Sequence, residues 1–213
     1  MRRIVLATTI GAAFVPSAGA SAATLVPDQG CYVEHGAVTL HGSGFGALDL
    51  VNLSGPQVFE SGNADANGGF TVTSPAPLLG TIAPGSKSFT LAATDQTTQV
   101  TASTTIKVAT ATFATSGGVA SATAKRTWTF SGLFQRPGKP IYGHFRFGGK
   151  TRSTYRFGVP KGACGELKAK APLIPGASPT SGKWRVQIDF EKRYSPTAKP
   201  RLSNTATVFR SFR

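Results

Sequence analysis

Apolar side chains recur at every second position over most of the chain. Val38/Leu40, Phe70/Val72, Phe89/Leu91/Ala93 and Ile106/Val108 alternate mainly with Thr or Lys. The pattern returns in Trp128/Phe130, Phe145/Phe147, Tyr155/Phe157 and Trp184/Val186/Ile188/Phe190. A period of two sends alternate side chains to opposite faces of an extended chain, so each run predicts a half-buried β-strand. Breaks such as Arg136-Pro137-Gly138-Lys139-Pro140 predict turns between them. No segment beyond the N-terminal one has the spacing of an amphipathic helix, and the expected fold class is all-β.

The N-terminal segment reads differently. Arg2 and Arg3 precede an uncharged apolar run from Ile4 to Val15, and Ala20-Ser21-Ala22 supplies the small residues of a cleavage site. Residues 1–22 are therefore expected to be a secretory signal peptide. The run is shorter than the about 20 residues of a membrane-spanning helix, and no second run follows, so no transmembrane anchor is expected in the mature chain. Cys31 does not follow a lipidation triplet, and Phe209-Arg210-Ser211-Phe212-Arg213 is not a wall-sorting signal. Any hold on the cell envelope is expected to be non-covalent, with the protein secreted.

The remainder divides at an Ala/Thr/Ser/Gly-rich stretch, Ala109 to Ala124, read as a linker or an edge strand. The two parts, 24–109 and 110–213, each have roughly the 100 residues on which an immunoglobulin-like sandwich closes its core. Two tandem Ig-like β-sandwiches are the expected architecture. The halves also repeat features in order. Val38 to Phe45 corresponds to Trp128 to Phe134, Gly68-Gly69-Phe70 to Gly165-Glu166-Leu167, and each half has a late strand ending in Asp, at Asp95 and Asp189.

Charge separates what the strand pattern makes alike. The chain carries a formal +14, yet residues 24–109 hold six acids against Lys87 and Lys107. From Thr110 onward there are 19 Lys and Arg against Glu166, Asp189 and Glu191, a balance of +16. A small domain needs a net charge of only about 2 to 8 for solubility. The excess repels itself unless salt or an anionic partner screens it, which makes the second half the functional lead.

The inventory for catalysis is thin, and no catalytic residue is assigned. The only histidines are His35, His41 and His144, and there is no Gly-x-Ser-x-Gly elbow. Asp189 and Glu191 lie two residues apart beside Arg185, Lys192 and Arg193, which fits a solvated ion-pair face better than a glycosidase pair. Asn63-Ala64-Asp65-Ala66-Asn67-Gly68 opens like a calcium loop, but its twelfth position is Ser74, so a hairpin turn is expected instead. The cysteines and histidines lack zinc spacing, and neither a metal nor a cofactor is expected. Cys31 and Cys164, one in each half, either join the halves by a disulfide or remain buried thiols.

The outward positions of two basic strands give the candidate site. In Ile141 to Phe147, the parity of Ile141, Gly143, Phe145 and Phe147 sends Tyr142, His144 and Arg146 to the opposite face. Arg156 likewise points away from Tyr155 and Phe157. Joined through Gly148-Gly149-Lys150-Thr151-Arg152, these runs predict a hairpin presenting Tyr142, His144, Arg146, Lys150, Arg152 and Arg156. The strand from Trp184 adds Arg185, Gln187 and Asp189 to an outward face. Guanidinium groups grip phosphate or carboxylate oxygens in pairs, so the expected ligand is an anionic polymer or surface. Sequence-specific nucleic-acid reading is not expected, because no groove-entering helix is present.

Cys31-Tyr32-Val33, Val38 to Phe45, Ala64 to Val72 and Phe89 to Asp95 together resemble secreted bacterial Ig-like domains of the IPT/TIG-like sort. That resemblance covers the first half and implies an extracellular interaction or spacer module without catalytic residues. The second half, through Pro137 to His144 and Gly162-Ala163-Cys164-Gly165, resembles basic C-terminal domains of secreted bacterial proteins. The expected function is non-enzymatic binding of an anionic cell-envelope polymer or acidic polysaccharide. The alternatives are an adhesive spacer that binds protein partners, and a carbohydrate hydrolase.

Overall fold

Each alternating run becomes a strand in the computed structural model, which describes residues 22–116, 121–176 and 179–209. The expected signal segment, except Ala22, and Gly117-Gly118 of the expected linker lie outside the described residues. The first half contains β1 (Thr24–Pro27), β2 (Tyr32–Val33), β3 (Ala37–Ser43), β4 (Leu50–Gly55), β5 (Val58–Asn63), β6 (Phe70–Pro75), β7 (Ser86–Asp95) and β8 (Thr101–Ala109). The second contains β9 (Thr112–Thr115), β10 (Lys125–Ser131), β11 (Ile141–Phe147), β12 (Lys150–Gly158), β13 (Leu167–Pro172), β14 (Gly182–Asp189) and β15 (Leu202–Val208). The described residues contain no helix.

The sheets show why the halves look alike in sequence. The three-stranded sheets run β1-β3-β6 and β9-β10-β13. The facing sheets run β8-β7-β4-β5 and β15-β14-β11-β12, with β2 added parallel to β8 in the first half. One strand order is used twice, in two tandem Ig-like β-sandwiches. The local features repeat as well. A Cβ on Gly68 would lie 2.1 Å from the Phe45 carbonyl oxygen, and one on Gly165 would lie 2.2 Å from the Leu133 carbonyl carbon. Both glycines also have positive φ, so both corners exclude side chains for the same two reasons.

The cores match the inward parity. Leu40, Leu53, Leu91 and Ile106 fill the first sandwich. Trp128, Phe130, Phe145, Phe157 and Ile188 fill the second. Trp128 packs its ring between Phe113 and Phe157, with centroids at 5.8 and 4.9 Å, and donates Nε1–H to the Ala171 carbonyl at 3.3 Å. Burying one such aromatic side chain stabilises the fold by about 3 kcal/mol.

The expected linker is short. Thr112–Thr115 is an edge strand paired with β10, which leaves Thr110 and Ala111 between β8 and β9. The halves are joined a second time by the Cys31–Cys164 disulfide, across a sequence separation of 133. That bond sits in a small cluster with Ala109 and Phe134. Around it, the Gly85 amide donates to Ser131 Oγ at 3.0 Å and the Ser86 hydroxyl to Glu166 Oε1 at 2.8 Å.

Asn63 to Gly68 is not the hairpin turn expected. It carries the chain from β5 in one sheet to β6 in the other. Asp65 Oδ1 accepts the Asn67 and Gly69 amides at 2.7 and 3.0 Å, so the carboxylate shapes the corner.

Candidate anion-binding face

The β11–β12 hairpin forms as the alternation predicts. Gly148 and Gly149, with φ of 57° and 77°, make the two-residue turn that suits the twist of antiparallel strands. Lys150, Thr151 and Arg152 belong to β12 and not to the turn. Strand pairing then gathers residues from three strands on one face of the four-stranded sheet. Tyr142 lies opposite Arg156 on one side and Asp189 on the other, and Arg146 lies opposite Arg185. The register shifts at Arg152, between Phe145 and Arg146, and this extra residue turns Lys150 away from the expected face: it lies opposite Phe147, whose ring packs against the core. Lys150, Arg152, Arg156 and Arg185 are exposed, and Tyr142 and Arg146 are half-buried.

His144 departs from expectation. It points to the predicted face yet is 0% exposed, because the β14–β15 connection folds back over it. Gln187 and Asp189, also expected to face outward, are buried by the same segment at 3% and 0% exposure. The cause is tertiary: parity fixes which face a side chain leaves from, and says nothing about what crosses that face.

Under this cover the three side chains form a hydrogen-bonded network. His144 Nε2–H donates to the Glu191 carbonyl at 3.0 Å, with Asp189 Oδ1 at 3.3 Å, and Nδ1 meets Thr154 Oγ1 at 3.2 Å. A carbonyl can only accept, which fixes the proton on Nε2. Asp189 also accepts the Glu191 amide at 2.8 Å and Gln187 Nε2 at 2.7 Å, while Gln187 Nε2 donates to the Ser195 carbonyl at 2.8 Å. Asp189 and Glu191 therefore do not make a solvated ion-pair face. Asp189 is internal, and Glu191 reaches across to Arg136 at 2.5 Å.

Arg146 is partly spent on structure. Its guanidinium lies over the Tyr194 ring, 4.2 Å from the centroid, and donates to the Tyr194 oxygen at 2.7 Å and to the Gly149 carbonyl. The covering segment brings cations that strand parity overlooks. Lys192, Arg193, Lys199 and Arg201 are exposed in that segment. A signal for them existed in the run Glu191-Lys192-Arg193-Tyr194, directly after a strand whose outward residues are polar.

Neutralisation within the second half is slight. Glu166 bonds to Ser86, Asp189 is enclosed, and Glu191 pairs with Arg136. The positive charge is also sorted by type. On the outer face of the other sheet, Lys170 lies opposite Thr127 and Lys168 opposite Thr129, with Lys125 at the strand end. One side of the sandwich is thus mainly arginine and the other lysine. Among the described residues no group of three His, Cys, Asp or Glu is placed to hold a metal ion.

No family model matches the chain, and no curated protein does. Among solved structures it is similar to a tetra-tandem repeat in the extending region of a large adhesion protein, with a TM-score of 0.33 and 13% identity over 88% of this chain and 49% of that one. It is similar also to red sea bream transglutaminase, with a TM-score of 0.32 and 13% identity over 89% of this chain and 31% of the other. The chain spans less than half of either matched protein.

Proposed function

We propose that this chain is an exported, non-enzymatic binding protein of tandem IPT/TIG-like sandwiches, whose second sandwich holds an anionic cell-envelope polymer by charge. The observation that carries the reading is the arginine-rich face. Arg152 and Arg156 project from β12 and Arg185 from β14, the two strands that flank β11, and Lys192 and Arg193 are exposed in the connection that follows β14. Of the three carboxylates of that half, Glu166 bonds to Ser86, Asp189 is enclosed and Glu191 pairs with Arg136. Guanidinium groups held on a sheet are preorganised to take paired anionic oxygens, and binding to a dense polyanion releases its counterions. Export is supported by the disulfide, which persists outside the reducing cytosol.

The test is retention of the protein on immobilised anionic envelope polymer at low and high salt. The expected result is a logarithmic fall of affinity with salt. In the Arg152→Gln/Arg156→Gln/Arg185→Gln variant the slope should shrink by roughly two to three units, about one per lost contact with an anionic group of the polymer. Affinity unaffected by salt overturns the reading. A second reading, pairing of a protein partner with a sheet edge, is favoured by β5, an edge strand carrying Phe59 at 81% exposure. It predicts salt-resistant binding that the arginine variant retains.

A further inference from the structure

The segment from Phe190 to Arg201 is more tightly built than a surface connection needs. Side chains from two strands are spent on its backbone: Asp189 holds the Glu191 amide, His144 the Glu191 carbonyl and Gln187 the Ser195 carbonyl. Tyr194 is pinned between them, edge-on to His144 at 5.9 Å and under the Arg146 guanidinium. Enclosing a histidine, an aspartate and a glutamine costs desolvation that apolar side chains on the same strands would avoid. In return the network ties Glu191, Tyr194 and Ser195 to the strands beneath.

That segment walls a recess of about 670 Å³, completed by Arg136 from the β10–β11 connection. Arg136, Lys192, Arg193 and Lys199 line it, with Glu191 the only acid among the lining residues. The lining is therefore net positive by three charges. The Ser195 and Thr197 hydroxyls, 3.1 Å apart, add donors to the wall.

We propose that this recess is a binding site for a phosphomonoester group, and thereby that the polymer held by the arginine face bears such groups. The proposal rests on the reading given under Proposed function. A single carboxylate would leave most of the recess charge unbalanced. A phosphomonoester carries about −1.5 to −2 near neutral pH and offers three strong acceptor oxygens. Lysine ammonium groups, an arginine fork and hydroxyl donors match such a group, and Arg193 is the fork not already paired with Glu191. The buried network then preorganises the cations, reducing the ordering cost on binding.

Calorimetric titration of the purified mature protein with glycerol phosphate, and separately with glucuronate, tests the site. Glycerol phosphate should bind at least about tenfold more tightly than glucuronate, as expected if doubly charged oxygens meet several donors. Lys192→Gln/Arg193→Gln should abolish that preference. Both residues are exposed, so the variant keeps its fold. Gln187→Leu leaves every charge in place but frees the Ser195 carbonyl. It should weaken glycerol phosphate while Arg152, Arg156 and Arg185 still retain polymer. Equal binding of the two ligands, or an unchanged Lys192→Gln/Arg193→Gln variant, overturns the recess; retention of polymer by the wild type then leaves the wider reading standing. Glycerol phosphate bound without polymer retention supports the recess and overturns the wider reading.

Discussion

Removing the Cys31–Cys164 bond tests how the two halves share stability. With both halves unfolded the bond closes a loop of 133 residues, for which chain entropy gives about 5 kcal/mol. The bond also acts when only one half unfolds. If the first unfolds alone, the intact second half ties Cys31 to the start of β9, closing a loop of roughly 80 residues, worth about 4.5 kcal/mol. If the second unfolds alone, the loop from Ala109 to Cys164 has roughly 55 residues and is worth about 4 kcal/mol. Neither half can escape the constraint, so the Cys31→Ala/Cys164→Ala protein should lose about 4–5 kcal/mol in whichever half melts first.

That is a large share of the about 5–15 kcal/mol typical of a domain. For halves of this size it lowers the melting temperature by roughly 15 °C or more. Alanine suits the pocket, because the sulfurs lie in a buried apolar cluster with Ala109 and Phe134. The assay is differential scanning calorimetry of the oxidised protein and of the variant, with intact mass confirming the bond in the former. The variant should melt in two separated steps as the halves uncouple. Melting within about 3 °C of the oxidised protein, less than 1 kcal/mol for halves of this size, refutes the reasoning.

Other consequences follow from particular side chains. Trp128→Ala should cost about 3–5 kcal/mol, read from urea denaturation, because four aromatic rings lose their common neighbour. Asp95 is held down to about 2 by the Thr98 amide foremost, and by those of Gly46 and Thr97, against the opposing effect of burial. Its folded-state value lies below its unfolded one, so its stabilisation is complete above about pH 4 and is lost as pH falls through about 2. Asp95→Asn should flatten the stability profile across that window. Tyr32 is pushed up to about 12 by burial and by its hydrogen bond to Asp28, so ultraviolet titration should show an ionisation near pH 12 that Tyr32→Phe removes. Lys125→Gln/Lys168→Gln/Lys170→Gln removes the same charge as the arginine variant from the opposite sheet. It should retain polymer better than that variant; equal losses would show that net charge alone governs binding.

Much of the fold was legible in the alternation. Inward parity identified Trp128, Phe130, Phe145 and Ile188 as core, and the recurring corner and terminal aspartate marked a doubled strand order. Asp95 and Asp189 both end strands by accepting amides of the turn that follows, at 2.8 Å to Thr97 and to Glu191. This is local chemistry, which a sequence carries in its residue types. The outward direction of Arg156 was equally readable from parity and a two-glycine turn, whereas the arrival of Arg185 on the same face depends on the pairing of β14 with β11.

Burial of His144 was not readable, and neither was the recess. Both depend on where the Phe190-to-Arg201 segment lies, which is fixed by contacts between residues up to 48 positions apart, such as Arg146 with Tyr194. The pairing of the cysteines is likewise not readable, because a sequence gives their number and not the approach of the two sandwiches. By itself the chain determined which side chains leave each strand toward water. Only the tertiary structure decided which of them water still reaches, because the cover is supplied by distant parts of the same chain.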